Sequence, residues 1–266
     1  MVLLVVAALT AAAVGCVFVR LLPVLIADDA GMRLLRPSPR RWSPEPVLVC
    51  CGIVLAVAAP VAFAALRSGG GLTMAALPSA VAPTGIGGVV AVVCTGLGIG
   101  AAAGSSPVLA WIDVRIHRLP DRIVLPLLGL TAACWTVAAL SGGTALIGSG
   151  HGLPDQGLVG HGPGLALVIG AVCGGLVLVV SVIGGRGRGL AIGLGDVKLA
   201  ILVGALTGLA GTGAVLTAFV VAQLSACVEA AWQVLVARRG LATRLAYGPH
   251  LLLGMWTGPL VHAALR

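Results

Sequence analysis

Residues 193–210 read Gly193-Leu194-Gly195-Asp196-Val197-Lys198-Leu199-Ala200-Ile201-Leu202-Val203-Gly204-Ala205-Leu206-Thr207-Gly208-Leu209-Ala210. An acid and a lysine stand at the lip of an apolar run, behind two glycines. Charge beside or inside such a run is costly and marks function. Glycine opens backbone conformations closed to other residues and lets a second chain approach closely. The apolar residues are continuous rather than alternating, which suits a helix in lipid and not a strand. A second acid occupies a comparable place: the run ending Val108-Leu109-Ala110-Trp111-Ile112 leads straight into Asp113.

The pattern repeats along the chain. Of 266 residues, 59% are hydrophobic and 9% charged, and the mean hydropathy is +1.13. A soluble domain of this composition could not cover its surface with polar groups. Apolar runs of about 20 residues predict a polytopic, all-α transmembrane protein, read as a single integral-membrane domain over residues 1–266. About eight spans are expected, near 2–27, 47–66, 86–111, 123–141, 164–184, 197–210, 212–236 and 246–264. Gly208, Gly211 and Gly213 suggest a tight turn between the sixth and seventh, which leaves the sixth short for a bilayer. The first run has no basic stretch before it and continues to about Ala27, so it is expected to be a span rather than a cleaved signal peptide. The 40 glycines and 15 prolines fit this class, because small residues let membrane helices pack closely.

Charge gives an orientation. Arg33, Arg36, Arg40 and Arg41 lie in the first loop, and Arg115, Arg118 and Arg122 in the third. Arg186, Arg188 and Lys198 lie in the fifth, and Arg238, Arg239 and Arg244 in the seventh. The even loops hold only Arg67. Basic residues collect in loops that stay in the cytoplasm, so both termini are expected outside and Asp113 and Asp196 at the cytoplasmic face. The same reading accounts for the net charge of +8 without nucleic acid. Seven cysteines are scattered through apolar runs with no C-x-x-C pair, which reads as small buried hydrophobes and indicates neither a zinc site nor a disulfide framework.

Eight acids are present. Asp28, Asp29 and Glu45 flank the first loop, Asp155 lies in an external loop, and Asp121 follows Pro120, where it could cap the fourth span. Glu229 lies inside the seventh span near Gln223, Ser225 and Gln233, as an interhelical hydrogen-bonding residue or part of a proton path. Asp113 and Asp196 remain as a pair at matched depth. They could instead serve structural salt bridges with Arg115 or Lys198. Two close carboxyls share a proton, so one can act as general base on water while the other acts as general acid, with no metal or cofactor. No G-x-S-x-G or H-E-x-x-H occurs, and the five histidines do not cluster at ligand spacing.

Three segments, in order, resemble the type IV prepilin leader peptidases, membrane aspartic proteases of the GxGD class. Asp113-Val114-Arg115-Ile116-His117-Arg118-Leu119-Pro120-Asp121 is similar to their first block, an Asp followed by Ile/Leu-Pro-Asn/Asp. Gly193-Leu194-Gly195-Asp196-Val197-Lys198-Leu199-Ala200 is similar to their G-x-G-D-x-K-L block, and Leu245-Ala246-Tyr247-Gly248-Pro249-His250-Leu251-Leu252-Leu253-Gly254 to their closing I-P-F-G-P-x-L-x-x-G block. The blocks span about residues 105–260. The resemblance implies that Asp113 and Asp196 are the catalytic pair, supported by Gly193, Gly195, Lys198, Pro120, Gly248 and Pro249. It implies prepilin or pseudopilin precursors as substrates and a bacterial inner membrane as the location, in a pilus or protein-secretion system.

The chain departs from the family pattern in two places. Many members carry a first cytoplasmic loop with two C-x-x-C pairs and an associated N-methylation activity. Residues 28–46 contain no cysteine, so cleavage without methyl transfer is expected. Ala246 and His250 replace the commoner Pro and Phe, changes expected to tune packing. Two rivals remain from other classes. A proton-coupled transporter using Asp113, Asp196 and Glu229 would favour acids near the midplane and two similar halves, which the sequence does not show. The other is an inactive assembly factor for a pilus or secretion machine.

The orientation is testable without activity. In a background lacking the native cysteines, cysteines placed at Ser38 and Gly187 are expected to resist an impermeant thiol reagent added outside intact cells, while one at Gly157 reacts. The opposite labelling pattern would invert the topology.

Overall fold

The computed structural model describes residues 2–27, 45–67, 85–117, 119–141, 162–185, 192–238 and 245–265. The readings made for the first loop, for the external loops with Asp155, and for Arg118, Arg186, Arg188, Arg239 and Arg244 lie outside the described residues. Among the described residues eight helices run in order: α1 (Val2–Ala27), α2 (Glu45–Arg67), α3 (Ile86–Ile116), α4 (Asp121–Leu140), α5 (Pro163–Gly185), α6 (Leu194–Gly208), α7 (Thr212–Leu235) and α8 (Gly248–Ala264). No strand occurs among the described residues. The all-helical expectation is met, because lipid offers the backbone no hydrogen-bond partner and a helix satisfies its own.

Five helices, α1, α3, α4, α5 and α7, are long and apolar enough to cross a membrane. The other three are α2, whose stretch Val47–Ala58 is apolar, and the shorter α6 and α8. With 15 residues, α6 rises only about 22 Å. Large side chains on the outer faces are apolar and repeat at helical spacing. Leu216, Val220, Leu224 and Val228 on α7 are exposed, as are Val168, Val172, Leu176, Val179 and Ile183 on α5. In water such stripes would be a liability; against lipid chains they are the required surface.

The inner faces meet through small residues. Gly96, Gly100 and Gly104 of α3 pack on Leu3, Ala7 and Ala11 of α1, so these two helices run parallel. Gly170 and Gly174 of α5 pack against Ala205 and Ile201 of α6, and Gly254 and Gly258 of α8 against Ala218 of α7, both in antiparallel register. These are also the three most extensive helix contacts of the fold. Lipid is as apolar as a leucine side chain, so helices gain by close backbone approach rather than by burying oil from water. The expected turn after the sixth span is present: α6 ends at Gly208, and Gly211, with φ of 109°, starts α7. A side chain at that φ would strain the backbone.

The α7–α8 seam gives a direct test. A Cβ at Gly258 would lie 2.6 Å from the Ala218 nitrogen and 2.7 Å from its Cβ. Gly258→Ala should therefore destabilise the purified protein by about 1–3 kcal/mol through overpacking. Gly175→Ala, where nothing lies within 4 Å, should leave thermal unfolding in detergent unchanged or slightly raised.

Candidate active site

Asp113 lies in the last turn of α3 and is only 3% exposed. The sequence placed it just beyond a span ending near Trp111; the helix instead continues to Ile116 and carries the carboxylate inside the protein. What ends the helix is geometry rather than polarity. His117 turns into the left-handed region, with φ 51° and ψ 38°, and its N–H donates to the Asp113 carbonyl at 2.7 Å. Leu119 and Pro120 then lead into α4, whose first amides, Ile123 and Val124, donate to the Pro120 carbonyl at 3.0 and 3.2 Å.

Asp196 sits in the first turn of α6, after Gly193 at the N-cap. Its own N–H donates to the Gly193 carbonyl at 3.0 Å. Asp196 and Asp113 are close enough for the charge of one to act on the other. Tyr247, the residue before α8, also stands within reach of the Asp196 charge. The third block completes the group: the Gly248 N–H donates to Asp113 Oδ2 at 2.9 Å. Helix N-termini carry unsatisfied N–H groups and a partial positive charge, so the carboxylate of Asp113 is a suitable partner for the start of α8.

The supporting glycines work by size. Gly193 has φ of −62°, and Gly195 and Gly248 are not among the positive-φ residues, so the conformational freedom expected of them is not used. A Cβ on Gly195 would meet Leu119 Cβ at 2.8 Å, and one on Gly248 would meet Asp113 Oδ2 at 2.7 Å. The close approach is of the protein to itself: α6 rests on the Leu119-Pro120 turn, and α8 rests on Asp113.

Two sequence expectations for charged residues change. Asp121 does not cap α4; Pro120 holds the N-cap position without a side-chain bond. Asp121 Oδ1 instead accepts from Lys198 Nζ at 2.6 Å, which joins α4 to α6. Lys198 is therefore bonded to Asp121 rather than to Asp196, and the Arg115 guanidinium lies over the Trp111 ring, 5.7 Å from its centroid. Among the described residues neither Asp113 nor Asp196 forms an ion pair, so the structural salt bridges weighed above do not take up these two carboxylates.

An apolar cleft of about 720 Å³ lies between α2, α3 and α8. It reaches the site through Ala110, one turn before Asp113, and Pro249, next to Gly248. Sequence reasoning missed one group at the site's edge. His250, expected only to adjust packing, contacts Glu229 and Ser225 of α7. The polar spacing on α7 was visible in the sequence; its partner on α8 was not. The chain matches no known protein-family model, no curated protein and no solved structure.

The Lys198–Asp121 pair is partly exposed, at 23% and 59% for the two side chains. Such pairs contribute about 0–1 kcal/mol. Lys198→Met and Asp121→Asn should each shift thermal unfolding by no more than that, measured in the same detergent as the parent protein.

Proposed function

We propose that the protein is a membrane aspartic endopeptidase of the prepilin leader peptidase type. The observation that carries this reading is the convergence of three separated sequence blocks on one carboxylate pair. Asp113, Asp196 and Gly248 come from α3, α6 and α8, and their segments meet through the Gly248–Asp113 hydrogen bond and through Leu119, which packs against both Gly195 and Gly248. The resemblance assigns catalysis to those same acids.

In this mechanism the pair shares one proton. The ionised carboxyl takes a proton from water as the water attacks the peptide carbonyl; the protonated carboxyl polarises that carbonyl and supplies the proton needed as the amide nitrogen leaves. No covalent intermediate forms. The Gly248 N–H orients the Asp113 carboxyl, and Asp113 and Asp196 take the base and acid roles as one pair.

The substrate class is a prepilin or pseudopilin precursor, with a short basic leader, an apolar helix and a scissile bond between them, commonly after glycine. The apolar cleft beside Ala110 and Pro249 supports this, because a chain running from the acids along it would meet a predominantly apolar lining. In this reading the eight helices are eight spans, both termini face outward, and the acids open to the cytoplasm of a bacterial inner membrane. The cysteine-free residues 28–46 give no thiolate zinc site, so the activity is cleavage without N-methylation.

Asp113→Asn and Asp196→Asn should each abolish leader cleavage of a co-expressed precursor while the protein still inserts in the membrane. Asp121→Asn should retain most activity. Near-parental cleavage by either of the first two variants would show that the pair is not catalytic.

A further inference from the structure

Glu229 and His250 have no task in the mechanism above, yet they form the best-connected polar cluster outside the acid pair. His250 lies in the first turn of α8 and is buried at 8% exposure. Its Nε2 lies 2.7 Å from Glu229 Oε2, and its Nδ1 lies 3.0 Å from Ser225 Oγ. The Ser225 hydroxyl donates to the Ala222 carbonyl at 2.9 Å, and Gln233 Nε2 donates to Glu229 Oε1 at 2.9 Å. The imidazole is therefore held at both nitrogens, by side chains that are themselves held.

This cluster is two residues from Gly248. The Gly248 amide is in the first helical turn, where no intrahelical carbonyl is available to it. Pro249 offers no N–H and fixes the backbone between Gly248 and His250. The direction of the Gly248 N–H is thus set by how the first turn of α8 is fastened. On the α3 side the next fastening is Trp256 Nε1 to Ser106 Oγ at 3.1 Å, two turns further on. On the α7 side there are two: Tyr247, whose hydroxyl donates to Gln223 Oε1 at 3.4 Å, and the more closely bonded His250. General packing does not require a charged group here. The glycine seam at Gly254 and Gly258 already closes α7 on α8, and Glu229, whose side chain is 41% exposed, reaches His250 from the rim of the contact.

We propose that His250 and Glu229 are a positioning pair, which fastens the first turn of α8 to α7 and thereby holds the Gly248 N–H on Asp113. The functional half of this inference rests on the peptidase reading; the structural half can be read without any cleavage. Neither residue touches the reacting atoms. The His250 ring is within electrostatic reach of Asp113, and the positioning effect, read at the Gly248 amide, passes through Gly248 to the carboxylate.

The test compares the full-length protein in detergent with His250→Phe, His250→Gln and the double variant His250→Phe/Glu229→Leu. Two quantities are read: hydrogen exchange at the Gly248 amide, and kcat and KM for leader cleavage of a purified pilin-like precursor. In His250→Phe and in the double variant, Gly248 exchange should rise about tenfold while the amides of Leu251–Leu253 hold their rates. The kcat should fall about tenfold with KM within about twofold. His250→Gln keeps a side-chain N–H for Glu229 and should restore most of both. If the double variant regains parental exchange and kcat, the single variant suffers only from a stranded Glu229, and the positioning role is wrong. Unchanged Gly248 exchange in a folded His250→Phe would overturn it equally. Should that variant not fold, the glutamine and double variants carry the same comparison. Asp113→Asn is the control for the peptidase reading. Absence of cleavage by the parent protein sinks that reading alone, and a silent His250 with essential aspartates sinks this inference alone.

Discussion

The hydrogen bond from the Gly248 amide to Asp113 Oδ2, at 2.9 Å, joins the end of α3 to the beginning of α8. Each partner needs the other. A buried carboxylate without a donor is expensive, and so is an amide at a buried helix start without an acceptor. Because Pro249 has no N–H, Gly248 is the first backbone donor α8 can offer. The bond demands a residue without a side chain at 248, since a Cβ would sit 2.7 Å from the accepting oxygen. It also places Leu119, packed against the same glycine, where Gly195 of α6 must pass. One contact thus fixes the approach of three helices and, with them, the approach of Asp196 to Asp113.

The rest of the packing follows from the solvent. In water, burial of large apolar side chains would drive helix association; in lipid that term is nearly absent. Many leucines and valines face outward, and inside, glycines and alanines line the closest helix contacts beside buried large side chains such as Leu109, Leu202 and Leu251. The buried positions on α6 and α7 include Ala200, Gly204, Ala205, Gly208, Ala214, Ala218 and Ala222. Hydroxyls of Thr95, Ser106 and Thr207 on the inner faces donate to carbonyls of their own helices, whereas Thr131 Oγ1 is buried without a partner among the described residues.

Much of this was legible because hydropathy in a membrane protein reports length directly. The run expected at 164–184 is α5 at Pro163–Gly185, and that expected at 212–236 is α7 at Thr212–Leu235. The two acids were legible because few charges interrupt the apolar runs. Their surroundings were not. Asp113 was placed outside its span because the eye stops at the first charge, whereas the helix stops where His117 turns left-handed and proline follows. Lys198 stands beside Asp196 in sequence but bonds Asp121, 77 positions away. Glu229 and His250 meet only through the antiparallel register of α7 and α8, which no local pattern encodes. The site glycines were read as opening unusual backbone conformations and admitting a second chain; Gly195 and Gly248 sit against Leu119 and Asp113 of the protein itself, which depends on what lies opposite.

The three glycine seams divide the helices into tightly joined pairs, α1 with α3, α5 with α6, and α7 with α8. Asp113, Asp196 and Gly248 each come from a different pair. The separation of the two acids is therefore a coordinate between bodies and not within one. Bodies that touch backbone to backbone resist internal deformation but can still rock against one another, as in hinge and shear motions. Lateral pressure, bilayer thickness and detergent act on that relative placement before they act on any helix. The spacing of the two carboxyls can consequently change while every helix stays intact. On the peptidase reading, cleavage would follow the mechanical state of the membrane more closely than stability does.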